Sequence, residues 1–209
     1  MRLRTLVVCT LVAAAAGLAA GEALSQEQPA GPPPFRQPTP EEMQSGMQRW
    51  MQTMKPGEHH KGLARFLGTW NVTVRMWMGE QPMESKGTST FSWLFKDRWI
   101  KQEMDAPMMG MPMQTFGIVG YDNYRHAYQA LQLDSLTTVM NKVEGNYDQS
   151  RKNLIFYGTI DEPMTGELGK PVKFVYRFQD ADHFTAEVHD LAIGETGTRV
   201  VEYVYERAK

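Results

Sequence analysis

The sequence predicts an all-β fold: a closed, antiparallel, up-and-down β-barrel of about ten strands, with one or two helices on its N-terminal side. Three observations point there. The apolar period changes from about 3.6 residues to about 2 around Gly68-Thr69-Trp70. From Trp70 to Arg207 one strand-like segment follows another, with turn residues between them and no helical pattern. The connections are short, which makes neighbouring strands antiparallel, and an open sheet of that size would carry two unpaired edges that closure removes.

The elements read as follows. Arg2 and Arg4, the apolar, alanine-rich run Leu6–Ala20 and the small residues of Ala23-Leu24-Ser25 form the pattern of a signal peptide over residues 1–25. The protein is therefore expected to be exported, to the periplasm of a bacterium or beyond it. The run is too short for a stable membrane span. The two arginines are not adjacent, which argues against a twin-arginine signal, and Val8 before Cys9 fits a lipoprotein site poorly. Cleavage removes the single cysteine. That leaves no disulfide, no thiolate metal site and no cysteine nucleophile. It also removes two cations and one anion, taking the formal charge from −2 to about −3. With no basic run or stripe, nucleic acid and anionic membrane surfaces are not expected as partners, and no stable membrane insertion is expected after cleavage.

Residues 26–40 hold six of the twelve prolines and read as an extended, disordered spacer. Thr39-Pro40-Glu41-Glu42 is a helix start: Thr39 caps, Pro40 suits the first helical position and Glu42 completes a capping box. Met43, Met47, Met51 and Met54 recur at helical spacing beside Trp50; Met43, Met47 and Met51 share one face, as a core-packing stripe does. Lys55 and Pro56-Gly57 end the helix. A second short helix is expected over 59–67. Strands are expected at about 69–78, 85–95, 98–105, 112–121, 126–134, 138–147, 152–160, 171–179, 183–191 and 198–206. Alternation is clear in Phe91, Trp93 and Phe95, and again in Phe174, Tyr176 and Phe178. Residues 41–209 thus form one domain, with the barrel at about 69–207.

Gly68-Thr69-Trp70, where a helix feeds the first strand, resembles the calycin group, the lipocalins and their relatives. Glu58-His59-His60-Lys61-Gly62-Leu63, Leu67 to Trp70, Met108-Met109-Gly110-Met111-Pro112, Gly117 to Asp122 and Asp161 to Gly166 together resemble the domain-of-unknown-function family 1579 over about residues 55–207. The resemblance implies a lipocalin-like barrel with Trp70 plugging its base, and implies no activity.

The function expected from the residues is the binding of a small apolar or amphipathic molecule in the barrel. Trp70, Trp93, Met111, Met113, Phe116, Tyr128, Tyr176 and Tyr203 are candidate ligand-binding residues, with Gln102, Gln114 or Arg177 as polar partners. A barrel filled solid by its own side chains is the plain alternative. No cofactor is expected, but two alternatives involve one. The fifteen methionines include the cluster Met108, Met109, Met111 and Met113, and thioethers are soft ligands that bind Cu(I); His183 and His189 on one strand could add to a metal site or serve as a haem ligand. Methionine also fills irregular apolar space, which is its commoner use. An enzyme acting at the barrel mouth is a further alternative, although no catalytic residue is identified: there is no Gly-x-Ser-x-Gly elbow, and the carboxylate pairs lie in turns.

Overall fold

The computed structural model describes residues 36–209. The signal-peptide reading of residues 1–25, and most of the spacer at 26–40, lie outside the described residues. Two short helices and a 3₁₀ turn come first: α1 (Pro40–Thr53), α2 (Glu58–Gly62) and Leu63–Phe66. Ten strands follow: β1 (Gly68–Trp77), β2 (Pro82–Phe95), β3 (Trp99–Asp105), β4 (Gln114–Asp122), β5 (Ala127–Asp134), β6 (Asn141–Tyr147), β7 (Asn153–Glu162), β8 (Glu167–Phe178), β9 (His183–Asp190) and β10 (Arg199–Arg207). Each pairs antiparallel with its neighbours in sequence, and β1 pairs with β10, so the barrel closes. Trp70 faces Arg207 and Met76 faces Val201 across that seam. Among the described residues closure leaves no edge strand. Among the described residues no helix is long and apolar enough to cross a membrane.

The two ends of the barrel differ. At one end α2 and the 3₁₀ turn insert Leu63 and Phe66, both buried, beneath Trp70. The indole Nε1 donates to the Phe66 carbonyl at 2.7 Å. Phe66 meets Phe178, Phe91 and Phe184 at centroid distances of 4.8–5.6 Å. Each such ring contributes about 1.5–3 kcal/mol by burial. This end is a solid aromatic plug, as the resemblance implied for Trp70. The other end is open and is framed by the five connections β1–β2, β3–β4, β5–β6, β7–β8 and β9–β10.

α1 starts as expected. Glu42 N donates to Thr39 Oγ1 at 3.2 Å, and Thr39 N donates to Glu42 Oε2 at 2.7 Å. Its methionine stripe does not pack in the core, however. No residue of α1 is buried, and Met43, Met47 and Met51 are 60%, 50% and 47% exposed. The helix is held at its C-terminal end: Arg98 Nη2 donates to the Met54 carbonyl, and Asn123 Nδ2 donates to those of Gln52 and Lys55. Strand boundaries shift by a few residues from expectation. The largest shift is in β8, which begins at Glu167 rather than near Pro171 because the hairpin turns earlier, at Pro163–Gly166.

Candidate functional site

Strand alternation decides what faces the barrel interior. On β9, Phe184, Ala186, Val188 and Asp190 are buried while the residues between them are not. Register carries that face to β10 (Tyr205, Tyr203, Val201), β1 (Val72, Val74, Met76) and β8 (Phe178, Tyr176, Phe174, Val172). Just above the plug, Gln102 Nε2 donates to Ser89 Oγ at 3.0 Å and to the Tyr205 hydroxyl at 3.2 Å. Burial raises the Tyr205 pKa well above the phenol range, so the hydroxyl stays neutral.

Higher in the barrel the filling thins out. Phe174, Tyr176, Val201 and Tyr203 point inward yet are only partly buried. Burial, then the Asp134 carboxylate, pushes the Tyr203 hydroxyl up to about 12. A void of about 30 Å³ lies beside Gln132, Asn141 and Tyr176, room for about one water. Asn141 Oδ1 at this void, and Thr115 Oγ1 elsewhere on β4, are buried without a hydrogen-bond partner among the described residues.

The open end holds a cavity of about 470 Å³. Six methionines line it: Met76, Met78, Met108, Met109, Met113 and Met164. Trp77, Leu136, Ile160, Val172, Val188, Val200 and Val201 complete its apolar wall. The β3–β4 connection explains part of this rim. Met108 and Met111 exchange two backbone hydrogen bonds of 2.9 Å, and the tip between them turns through Met109 at φ 53° and Gly110 at φ 78°. The tight turn sends Met108, Met109 and Met113 to the cavity and leaves Met111 exposed. Polar groups are few. Lys170 Nζ lies 2.7 Å from Asp190 Oδ2, both side chains mostly buried, and that hydrogen bond raises the lysine pKa and keeps it charged. Asp134 is occupied by the amides of Leu136 and Thr137.

Residues 55–207 match the model of a family described as "Protein of unknown function (DUF1579)". The chain belongs to the DUF1579 family. Among solved structures, this DUF1579 barrel is similar to Rv2717c from M. tuberculosis, at 16% identity and a TM-score of 0.53, over 74% of this chain and 100% of that one. It is also similar to a redesigned β-barrel, mFAP0, bound to DFHBI, at 12% identity and a TM-score of 0.36, over 68% and 99% of the two chains. These likenesses concern the fold. No curated protein matches the chain in sequence.

The DUF1579 barrel distributes the sequence-predicted residues unevenly. Met113 lines the mouth, and Tyr176 and Tyr203 face the interior below it. Trp70 and Tyr128 are buried at the closed end, where Trp93 packs against the core. Phe116 pairs with exposed Glu103 and shares its outer face, because side chains alternate along β4. Of the soft-ligand candidates, Met108, Met109 and Met113 come together at the mouth; Met111 stands outside it. His183 and His189 lie on the outer face of β9, between its buried positions. His183 contacts Asp180 at 2.9 Å, and His189 contacts Thr198 and Glu187. Among the described residues no histidine lines the mouth cavity. Sequence reasoning missed Met76, Met78, Met164, Lys170 and Asp190. The only signal for them was that each falls near a connection belonging to the same end of an up-and-down barrel.

Proposed function

We propose that this DUF1579 chain is an exported binding protein that takes a small apolar or amphipathic molecule into the open end of its barrel. The observation that carries the reading is the cavity of about 470 Å³ walled by six methionines and several aliphatic side chains. Apolar surface turned toward an opening is unsatisfied surface. A ligand covering it gains roughly 25 cal/mol per Å² before ordering costs. Flexible thioether side chains adapt to ligands of differing shape, which suits a carrier better than a site for one rigid substrate. The signal-peptide pattern at residues 1–25 supports export. Native mass spectrometry of the protein purified from its own host, paired with titration of a fluorescent fatty acid, tests the reading. A co-purifying apolar molecule and saturable probe binding are expected; a chain that carries nothing and leaves the probe dark overturns it.

A second reading has its own observation. Six thioethers around one opening are also a soft-donor set for Cu(I), which needs no deprotonated ligand. Leucine in place of all six, Met76, Met78, Met108, Met109, Met113 and Met164, separates the two. That variant keeps an apolar wall and retains the fatty-acid probe in the carrier reading, whereas a copper site loses its metal.

A further inference from the structure

A second cleft, of about 610 Å³, lies at the opposite, plugged end of the barrel. α2 and the 3₁₀ turn form one wall, with His59 and Arg65. The β4–β5 and β6–β7 connections form the other, with His126 and Arg151 at their tips. Tyr128, 2% exposed, and the half-buried Tyr147 make the floor. The two phenol rings meet edge to face at 5.6 Å.

Side-chain contacts hold His59, Tyr128 and Arg65 in place. The His59 ring stacks on Tyr121 at 4.1 Å with its plane tilted by 8°, and Tyr128 meets it edge-on at 5.8 Å. The Tyr128 hydroxyl donates to the His59 carbonyl at 3.1 Å. The Arg65 guanidinium covers the Phe178 ring at 3.6 Å. His126 and Arg151 sit at φ 55° and 56°, the left-handed conformation that turns each hairpin tip.

Two acids also border the cleft, and both are already engaged. Glu58 is paired with Lys61 at 2.6 Å. Asp148 accepts from Ser150 Oγ, from the amides of Lys152 and Asn153 and from Asn153 Nδ2, all within its own turn. Neither Arg65 nor Arg151 makes an ion pair with them, and Arg151 has no carboxylate partner among the described residues. Burial, then the charges of Arg151 and His126, hold the His59 proton affinity below its ordinary value. Arg65 and Arg151 line the cleft together with Tyr128 and Tyr147, and both oppose the rise that burial imposes on the Tyr128 hydroxyl. The donors to Asp148 are neutral and leave its charge in place, so with Glu58 offset by Lys61 the cleft sets two guanidinium cations against one carboxylate, a positive balance that favours a further anion.

We propose that this cleft binds a small oxyanion, a carboxylate or a phosphate group, held by Arg65 and Arg151 with His59 and His126 beside it. A guanidinium presents paired N–H donors that match either group, and its charge is independent of pH in the working range. The site lies at the other end of the barrel from the methionine mouth, so it stands or falls separately from the carrier reading.

The test uses the isolated chain with inorganic phosphate, acetate and benzoate as probes, at ionic strength held constant with sodium chloride. Amide chemical shifts are followed by NMR, and melting temperature is recorded in parallel. Saturable shifts confined to residues 57–66, 124–128 and 146–152, together with a rise in melting temperature, are expected with phosphate or with the carboxylates, and the stronger class identifies the head group. Arg151→Asn removes the cation while retaining a residue that tolerates the left-handed turn, so the fold is kept. It is expected to weaken binding at least about tenfold. If neither probe class acts beyond chloride, or if Arg151→Asn binds as well as the parent, the proposal is overturned.

Discussion

The guanidinium of Arg207, at the end of the last strand, lies 4.1 Å from the ring centroid of Trp70, near the start of the first. The same group donates from Nη1 to the Leu67 carbonyl at 2.9 Å, from Nη2 to the Ala181 carbonyl at 2.8 Å, and from Nε to Asp182 at 2.8 Å. One side chain thus joins the plug, the β1–β10 seam and the β8–β9 turn. Gly68 makes room for it. Its φ is +117°, and a Cβ there would come within 2.7 Å of Arg207 Nη1. The glycine and the tryptophan of Gly68-Thr69-Trp70 therefore serve one clasp.

Removing the clasp has a measurable cost. Arg207→Ala loses a cation–π contact and charged hydrogen bonds that are partly open to water, and is expected to destabilise the barrel by about 2 kcal/mol. Arg207→Lys keeps the charge but not the fork, and recovers less than half of that. Gly68→Ala costs about 1–3 kcal/mol, mainly through backbone strain. Urea unfolding measures all three. An Arg207→Ala variant within about 0.5 kcal/mol of the parent would show that closure does not depend on this contact.

The mouth cavity predicts a different pattern. Met76→Gln combined with Met108→Gln preserves volume but makes the wall polar. Affinity for the fatty-acid probe is expected to fall by about 1–2 kcal/mol, or roughly 5–30-fold, with little change in melting temperature. The same substitutions at Met43 and Met47 of α1 leave affinity unchanged. Equal losses from both pairs would place the ligand elsewhere.

Oxidation tests the same wall without mutation. Hydrogen peroxide transfers one oxygen to a thioether, giving a sulfoxide and water, and makes an apolar side chain polar. Met78, Met109 and Met164 are 56%, 46% and 68% exposed, whereas Met104, deeper in the barrel, is 3% exposed. Peptide mapping is expected to find the rim oxidised well before Met104, with probe binding lost in step and regained after methionine sulfoxide reductase treatment. Binding that survives full oxidation of the rim contradicts a thioether-lined site.

Much of this was legible in the sequence, for definite reasons. The alternation of Phe174, Tyr176 and Phe178 and the short turns gave the antiparallel barrel, because period and connection length constrain pairing directly. The β8 start was misplaced because Gly169 and Pro171 resemble turn residues, while the chain turns at Pro163–Gly166 and then runs on as strand. The Met43–Met47–Met51 stripe marks an apolar face but says nothing of what covers it. The site was harder still. Met76, Met108 and Met164 meet only because three separate connections share one end of the barrel, and no local pattern encodes that meeting.

The attachment of α1 gives a local prediction. Arg98 and Asn123 hold its C-terminal carbonyls from the β2–β3 and β4–β5 turns. Arg98→Ala with Asn123→Ala removes donors worth about 0.5–1.5 kcal/mol each. Faster amide exchange and proteolysis are expected over residues 40–55, while the barrel melts as before. A matching loss of global stability would mean that the helix is part of the cooperative unit.

The pair His59–His60 sets the response to acid. Burial is the largest cause lowering the proton affinity of both, with Arg151 and His126 adding to it at His59, and His59 and Arg98 at His60. A hydrogen bond involving the Tyr121 backbone acts the other way at His60. In the unfolded chain each titrates near the ordinary value of about 6.5. Above that pH both states are neutral and the histidines make stability independent of pH. As pH falls through it, the unfolded chain takes up protons first, so folding loses stability until the depressed folded-state values are passed. His183 works with the opposite sign: Asp180 raises its affinity, so its contribution is present at low pH and fades as pH rises. The comparison is therefore made between variants. His59→Gln/His60→Gln, built in a His183→Gln background, is expected to gain melting temperature relative to that background as pH is lowered from about 7.5 to about 5. A difference that stays constant over this interval would show that the two rings take up protons as readily in the folded protein as in the unfolded chain.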